Sequence, residues 1–291
     1  MQEQIADGEL VRVTNKKGRF LGIGHFQNAS IAVRIISFED RAIDHSFWVE
    51  TISDAKATRA RLSLPNESTD IYRLVHGEGD QLTGLIIDVY GNTAVIQPHS
   101  QGMYLQAKEI SEALKEVLGD SLKTCILKHP SHVKDDSAEV LFGETKEIYL
   151  AKEWGVTFQL DLLYGQKTGF FVDQRENRRR LGEYSKGKKV LNTFCYNGGF
   201  SLCALNAGAE KVVSIDVSKS AIEQTKENLK LNGYDPEVHE CIAMDTFDYM
   251  QQNEQDFDVI VLDPPAFAKH MSARHNALKG YTRLNAMALR Q

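Results

Sequence analysis

At 291 residues, 42% of them hydrophobic and 25% charged, the chain is long enough for two or more domains and has an ordinary globular composition. It holds no apolar run of about eighteen residues, and Met1-Gln2-Glu3-Gln4-Ile5-Ala6-Asp7-Gly8 lacks the basic and apolar regions of a signal peptide, so no membrane partner and a cytoplasmic location are expected. A net charge of −6 argues against a surface coated for nucleic-acid binding but leaves room for a local basic patch, and Cys125, Cys195, Cys203 and Cys241, without CxxC spacing, read as reduced structural thiols rather than a metal site.

The first forty residues alternate short β-rich runs with turns: Glu9–Val13, Phe20–Phe26 and Ile31–Ile36. They predict a small β module (1–42) that starts abruptly and is incomplete on this reading. Phe47 to Leu64 carries spaced apolar residues and few breakers, predicting a helix within a linker (43–66) that ends at Pro65-Asn66-Glu67-Ser68. In the next segment (67–176), Leu85–Tyr90 and Thr93–Gln97 flank Gly91-Asn92, a primed-turn signal for a hairpin. Gly102 to Leu118 has a helical apolar period closed by Gly119, and Cys125–Leu127, Ile148–Leu150 and Val156–Leu160 read as strands. A small α+β domain is expected there.

Beyond about residue 177 the pattern becomes regular (177–291). Lys189–Phe194 is a strand, Asn197-Gly198-Gly199 a loop, and Phe200–Ala209 a helix. Lys211–Asp216 is the next strand, followed by a helix capped by Ser218 that runs to Leu231 and stops at Asn232-Gly233. Val238–Ala243, Thr246–Gln252 and Phe257–Leu262 then read as strand, helix and strand. This alternation predicts a Rossmann-like α/β domain with a mostly parallel sheet.

The chemistry gathers at the strand ends. The first βα loop, Cys195-Tyr196-Asn197-Gly198-Gly199-Phe200-Ser201, lacks the G-x-G-x-x-G of a dinucleotide site, which argues against a nicotinamide dehydrogenase. Its paired glycines still let a small ligand approach backbone amides. Asp216 ends the second strand, where an acid accepts ribose hydroxyls. Asp245 follows the third, either receiving an adenine amino group or capping the next helix. Asp263 follows the fourth and is held there by Pro264 and Pro265, which fix φ and remove two donors. Three acids around one glycine loop are more specific than any one of them. Between Gly165 and Lys189, eight basic residues (Lys167, Arg175, Arg178, Arg179, Arg180, Lys186, Lys188, Lys189) stand against Asp173, Glu176 and Glu183. This run reads either as a solvated helix face or as phosphate contacts.

The stretches Val190–Ser201, Ser214–Ser218 and Asp263-Pro264-Pro265-Ala266-Phe267 resemble class I S-adenosylmethionine (SAM) methyltransferases. More narrowly, Leu163-Tyr164-Gly165-Gln166-Lys167-Thr168-Gly169-Phe170-Phe171-Val172-Asp173-Gln174-Arg175 resembles the motif of bacterial cytosine-5 methyltransferases of 23S-type ribosomal RNA. The likeness spans nearly the whole chain. It implies a PUA-like N-terminal module and SAM as cofactor. The implied partner is large-subunit ribosomal RNA, with a homodimer as a further assembly to consider. By the same resemblance Gln166, Thr168, Phe171, Gln174, Phe194, Tyr196, Gly198, Gly199, Asp216, Asp245 and Asp263 hold the cofactor. Arg175, Arg178, Arg179, Pro264, Pro265 and Phe267 then face the RNA, and Arg180 extends the phosphate contacts.

The implied mechanism answers a chemical difficulty: C5 of cytosine is a poor nucleophile, so a cysteine thiolate adds at C6, C5 takes the methyl group, and a base removes the C5 proton. Asp263 is the expected acid at N3, and the base must be unpaired or flipped out. In the resembling enzymes the nucleophilic cysteine follows the helix that here contains Lys279–Leu289. On this reading it lies beyond Gln291, and the domain is C-terminally incomplete. Two alternatives stay open. Methylation of an exocyclic amine normally places an aromatic directly after Asn/Asp-Pro-Pro, whereas Ala266 intervenes here. The other is an inactive RNA-binding chain.

Overall fold

The computed structural model describes residues 5–129, 138–253, 255–268 and 274–291 and divides into two compact units, Met1–Glu153 with Leu160–Asp173, and Trp154–Gln159 with Gln174–Gln291. In the first unit β1 (Leu10–Thr14), β2 (Phe20–Phe26) and β3 (Val33–Ser37) form an antiparallel sheet. The helix α1 (His45–Arg61) follows; its cap Asp44 accepts the Phe47 amide, and it buries Phe47, Trp48, Ile52 and Ala55.

A five-stranded sheet comes next, with β4 (Ile71–His76), β5 (Leu85–Tyr90) and β6 (Thr93–Pro98) antiparallel in sequence. The expected hairpin is present, with Tyr90 opposite Thr93. The single helix expected over Gly102–Leu118 is two, α2 (Gln101–Leu105) and α3 (Ala107–Leu118), separated at Gln106. The buried face runs on through the break, with Met103, Ala107 and Ile110 at i, i+4 and i+7, while Leu105, counted in the apolar stripe, lies off that face and is exposed. β7 (Thr124–Leu127) runs parallel to β6, β8 (Glu139–Phe142) pairs with β7, and Lys152 in β9 (Tyr149–Glu153) exchanges hydrogen bonds with Asp70.

The second unit holds β10 (Val156–Leu160), α4 (Arg175–Ser185), β11 (Lys189–Thr193), α5 (Gly199–Asn206), β12 (Lys211–Asp216), α6 (Lys219–Leu231), β13 (Cys241–Ala243), α7 (Thr246–Gln252), β14 (Val259–Leu262) and α8 (Arg274–Ala288). Four strands make an all-parallel sheet in the order β13-β12-β11-β14, as the alternating pattern predicts. Alternation along each strand then supplies both faces. Leu191, Val213 and Ile215 pack with Tyr249 and Met250 of α7 and Leu284 and Ala288 of α8. On the α5 side, Asn192, Ser201 and Ser214 form a buried hydrogen-bonded trio. Ser218 caps α6 as expected. The strand expected over Val238–Ala243 shortens to three residues, because Asp235 accepts the amides of Glu237, Val238 and His239 and turns that stretch into a local bend.

Candidate active site

The strand order reverses between β11 and β14, because β12 and β13 lie to one side of β11 and β14 to the other. In open α/β sheets a ligand crevice forms at such a point, outside the carboxyl ends of the strands. Thr193 pairs with both Ile215 and Leu262, so Phe194, Asp216 and Asp263, each one residue further on, leave the sheet at one level.

The loop after β11 is sharply folded. Phe194 (φ 55°) and Tyr196 (φ 49°) both take the left-handed conformation, unusual for bulky side chains and concentrated at functional sites. Gly198 (φ 82°) caps α5, and a Cβ there would lie 2.7 Å from Thr225 Cγ2. Only glycine fits. The Cys195 amide donates to Ile215 O and the Gly198 amide to Cys195 O, while Gly199 and Phe200 begin α5, where amides lack helical acceptors. Phe194 and Tyr196 are half-buried.

Asp216 is built into this loop. Its Oδ2 accepts the Tyr196 amide (3.0 Å) and its Oδ1 the Ser218 amide (2.9 Å), and each oxygen keeps acceptor capacity for a hydroxyl. Asp245 caps α7, as its sequence context allowed. The Phe247 and Asp248 amides both converge on Oδ1 (2.8 and 3.3 Å), and among the described residues Oδ2 receives no hydrogen bond. Asp263 is exposed immediately past β14, with Pro264 half-buried and Pro265 exposed. The structure therefore brings Phe194, Tyr196, Gly198, Gly199, Asp216, Asp245 and Asp263 to one sheet edge.

Phe267 departs from expectation. Its ring lies 4.6 Å from that of Tyr281, and a Cβ on Gly280 would sit 3.0 Å from it, so it packs against α8 instead of facing a base. Arg178, expected at a phosphate, is 2% exposed with its guanidinium 6.0 Å from the Phe200 ring, which removes it from the surface a phosphate reaches. Arg179 and Arg180 are exposed. Arg175 is half-buried, pairs with Glu176 and, like Arg179, lies beside Trp154. Gln174 accepts from Asn177.

The rest of the Gln166–Arg175 motif lies in the first unit. Gln166 is exposed, and the Lys167 ammonium sits 4.2 Å over the half-buried Phe171 ring while pairing with Asp173. Thr168 is fully buried. Its hydroxyl donates to Asp88 Oδ2 (2.6 Å) and accepts from Tyr90 (2.7 Å), while Asp88 takes a two-point contact from Arg73. Lys128 Nζ donates to Leu163 O and Gly165 O, and burial lowers its pKa. Sequence reasoning missed Asp88 and Lys128 as supports of this segment. An acid inside the apolar run Leu85–Tyr90 was the available signal.

The cysteines are ill suited to attack. Burial raises the thiol pKa of Cys125 to about 12 and of Cys241 to about 11; Cys195 is pushed up further by burial and by Asp216. Cys203 is buried in α5.

Residues 111–285 match the family model described as S-adenosylmethionine-dependent methyltransferase, and residues 1–38 a PUA-like domain. Ribosomal RNA large subunit methyltransferase I of Tolumonas auensis is 36% identical over 97% of this chain and 73% of its own length. A ribosomal RNA large subunit methyltransferase of Deinococcus radiodurans is 32% identical over 95% of this chain and 71% of its own. The crystal structure of SMU.776, described as a methyltransferase complexed with SAH, superposes with a TM-score of 0.80 at 28% identity over 92% of this chain and 70% of that one.

Proposed function

The chain belongs to the S-adenosylmethionine-dependent methyltransferase family, and on that premise we propose that it methylates C5 of a cytosine in large-subunit ribosomal RNA. It carries the family's α/β fold and a PUA-like N-terminal module, and its cofactor is SAM. The observation that carries the site assignment is the convergence of Asp216, Asp245 and Asp263 around the Gly198 loop where the strand order reverses.

The residues fit the cofactor chemically. Asp216 offers the remaining acceptor capacity of both oxygens to the ribose hydroxyls, and Asp245 Oδ2 takes the adenine amino group. The amides of Gly199 and Phe200 at the start of α5 receive the methionine carboxylate, while the missing Cβ of Gly198 lets the loop sit against Thr225 of α6 on its opposite side. When bound, SAM supplies an electrophilic methyl group. Asp263, exposed beside it on the next strand end, holds the N3 edge of an unpaired cytosine, and the exposed Arg179 and Arg180 take its phosphates. The thiolate that adds to C6 is not assigned to Cys125, Cys195, Cys203 or Cys241, all buried or held protonated at neutral pH.

Ala266, standing where an aromatic would directly follow Asp-Pro-Pro, favours cytosine C5 over an exocyclic amine. The test uses protein expressed from its complete reading frame, isotopically labelled SAM and unmodified large-subunit RNA, with the product base mapped. A methyl group on cytosine C5 supports the proposal; one on an adenine or guanine amine overturns it.

A further inference from the structure

The cofactor loop is gripped from behind by one face of α6, and that grip extends to a strand outside the parallel sheet. Gln224, Asn228 and Asn232 recur every four residues along α6 and meet alternate residues of β10. Asn232 accepts the Thr157 amide (2.9 Å) and donates to Thr157 O (2.7 Å). One turn back, Asn228 Oδ1 accepts the Gln159 amide (2.7 Å) and Gln224 Nε2 donates to Gln159 O (3.3 Å). The two spacings match, since four helical residues rise about 6 Å and two strand residues about 6.7 Å, so side-chain amides replace a neighbouring strand along this edge.

Asn228 differs from the other two. It is fully buried, and its Nδ2 also donates to Asn197 O (3.0 Å) inside the cofactor loop. Three residues earlier, the buried Thr225 hydroxyl reaches Tyr196 O (3.0 Å), shared with Ala221 O of its own helix (2.9 Å). Two successive loop carbonyls thus turn toward α6, while the Tyr196 amide turns toward Asp216. This sorting of acceptors from donors is what a loop needs before a carboxylate and a ribose can bind on its other side. It also holds Tyr196 in the left-handed backbone that the loop requires.

We propose that Asn228 is a positioning residue for the cofactor: by joining Asn197 O to the Gln159 amide it pre-shapes the Gly198 loop, and cofactor affinity depends on that bond. The inference rests on the reading of this loop as the SAM site. Asn228→Asp keeps the shape and the acceptor for Gln159 but replaces the donor with a carboxylate oxygen facing Asn197 O. Asn232→Asp makes the same change one turn away, without reaching the loop.

Calorimetric titration with SAH is the test. N228D raises the SAH Kd at least tenfold, about 1.4 kcal/mol, and raises KM for SAM with KM for RNA within about twofold of wild type; N232D binds SAH within about twofold. Between pH 8 and pH 5.5 the N228D deficit shrinks, because protonating the introduced carboxyl restores a donor, whereas wild-type affinity stays flat. A folded N228D with wild-type affinity, an equal loss in N232D, or a deficit unchanged by pH overturns the inference. Should N228D fail to fold, Asn228→Ala removes the donor to Asn197 O without introducing a charge, and an unchanged SAH Kd there overturns it as well. A wild-type protein that binds no SAH overturns the cofactor-site reading itself.

Discussion

Replacing Gly198 by alanine separates two costs that the structure keeps distinct. An alanine in the left-handed region costs about 1–2 kcal/mol wherever it stands. At Gly198 the new Cβ also falls 2.7 Å from Thr225 Cγ2 on a buried helix face, adding about 1–3 kcal/mol of overpacking. Gly233 supplies the control, since its φ of 79° carries the same backbone penalty with nothing within 4 Å of the added Cβ. Urea denaturation is expected to show G198A losing roughly 2–5 kcal/mol and G233A roughly 1–2 kcal/mol. The SAH Kd rises at least about tenfold in G198A alone, because relieving the collision pushes the loop away from α6. Equal destabilisation by the two variants, with SAH affinity unchanged in both, would refute the idea that the loop is seated directly on α6.

Other outcomes follow from single groups. Asp216→Asn, which replaces one acceptor oxygen with an amide nitrogen, weakens SAH binding by roughly 10–100-fold in calorimetry while leaving RNA affinity unchanged. Arg179→Ala lowers the salt dependence of RNA binding by about one unit of log–log slope without moving Tm, whereas Arg178→Ala lowers Tm and leaves the slope alone. His25 is buried with its pKa lowered to about 4, and neither ring nitrogen has a partner among the described residues. The unfolded chain therefore binds the proton more readily, so stability is full above about pH 6.5 and falls as pH drops toward 4, by about 3 kcal/mol. Denaturation of His25→Phe at pH 7 and pH 4.5 should show that slope reduced; an unchanged slope would place the pH dependence elsewhere. Iodoacetamide should leave all four thiols largely unmodified in the folded protein, and rapid labelling of Cys195 would contradict its burial.

Features encoded by neighbouring residues were legible in the sequence. Gly91-Asn92 placed the hairpin, Ser218 and Asn232-Gly233 bounded α6, and the acids ending β12 and following β14 stand at the carboxyl ends of those strands as expected. What escaped depends on which way a side chain points once elements pack. Arg178 and Arg179 look alike in a basic run, yet adjacent positions on a helix lie about 100° apart, and one turns inward while the other meets solvent. Asn228 carries no motif, because its partners lie 31 and 69 residues away. Gln106 gives no breaker signal, so nothing in the neighbouring residues marks the interruption between α2 and α3. Phe267 shows the limit of motif reading: its place after Asp-Pro-Pro suggests a base, and Tyr281 and Gly280 claim it instead.

The position of β14 has a consequence for how the molecule assembles. β11 and β12 join at Lys189 and Lys211, 22 residues apart, while β11 and β14 join at Val190 and Val259, 69 apart. Closing the longer segment costs about 1 kcal/mol more chain entropy, which β14 must recover through its own packing. A sheet of β11, β12 and β13 already carries the glycine loop, Asp216 and Asp245 and lacks only Asp263. Fraying of β14 would thus displace Asp263 while leaving the glycine loop, Asp216 and Asp245 on the remaining three strands.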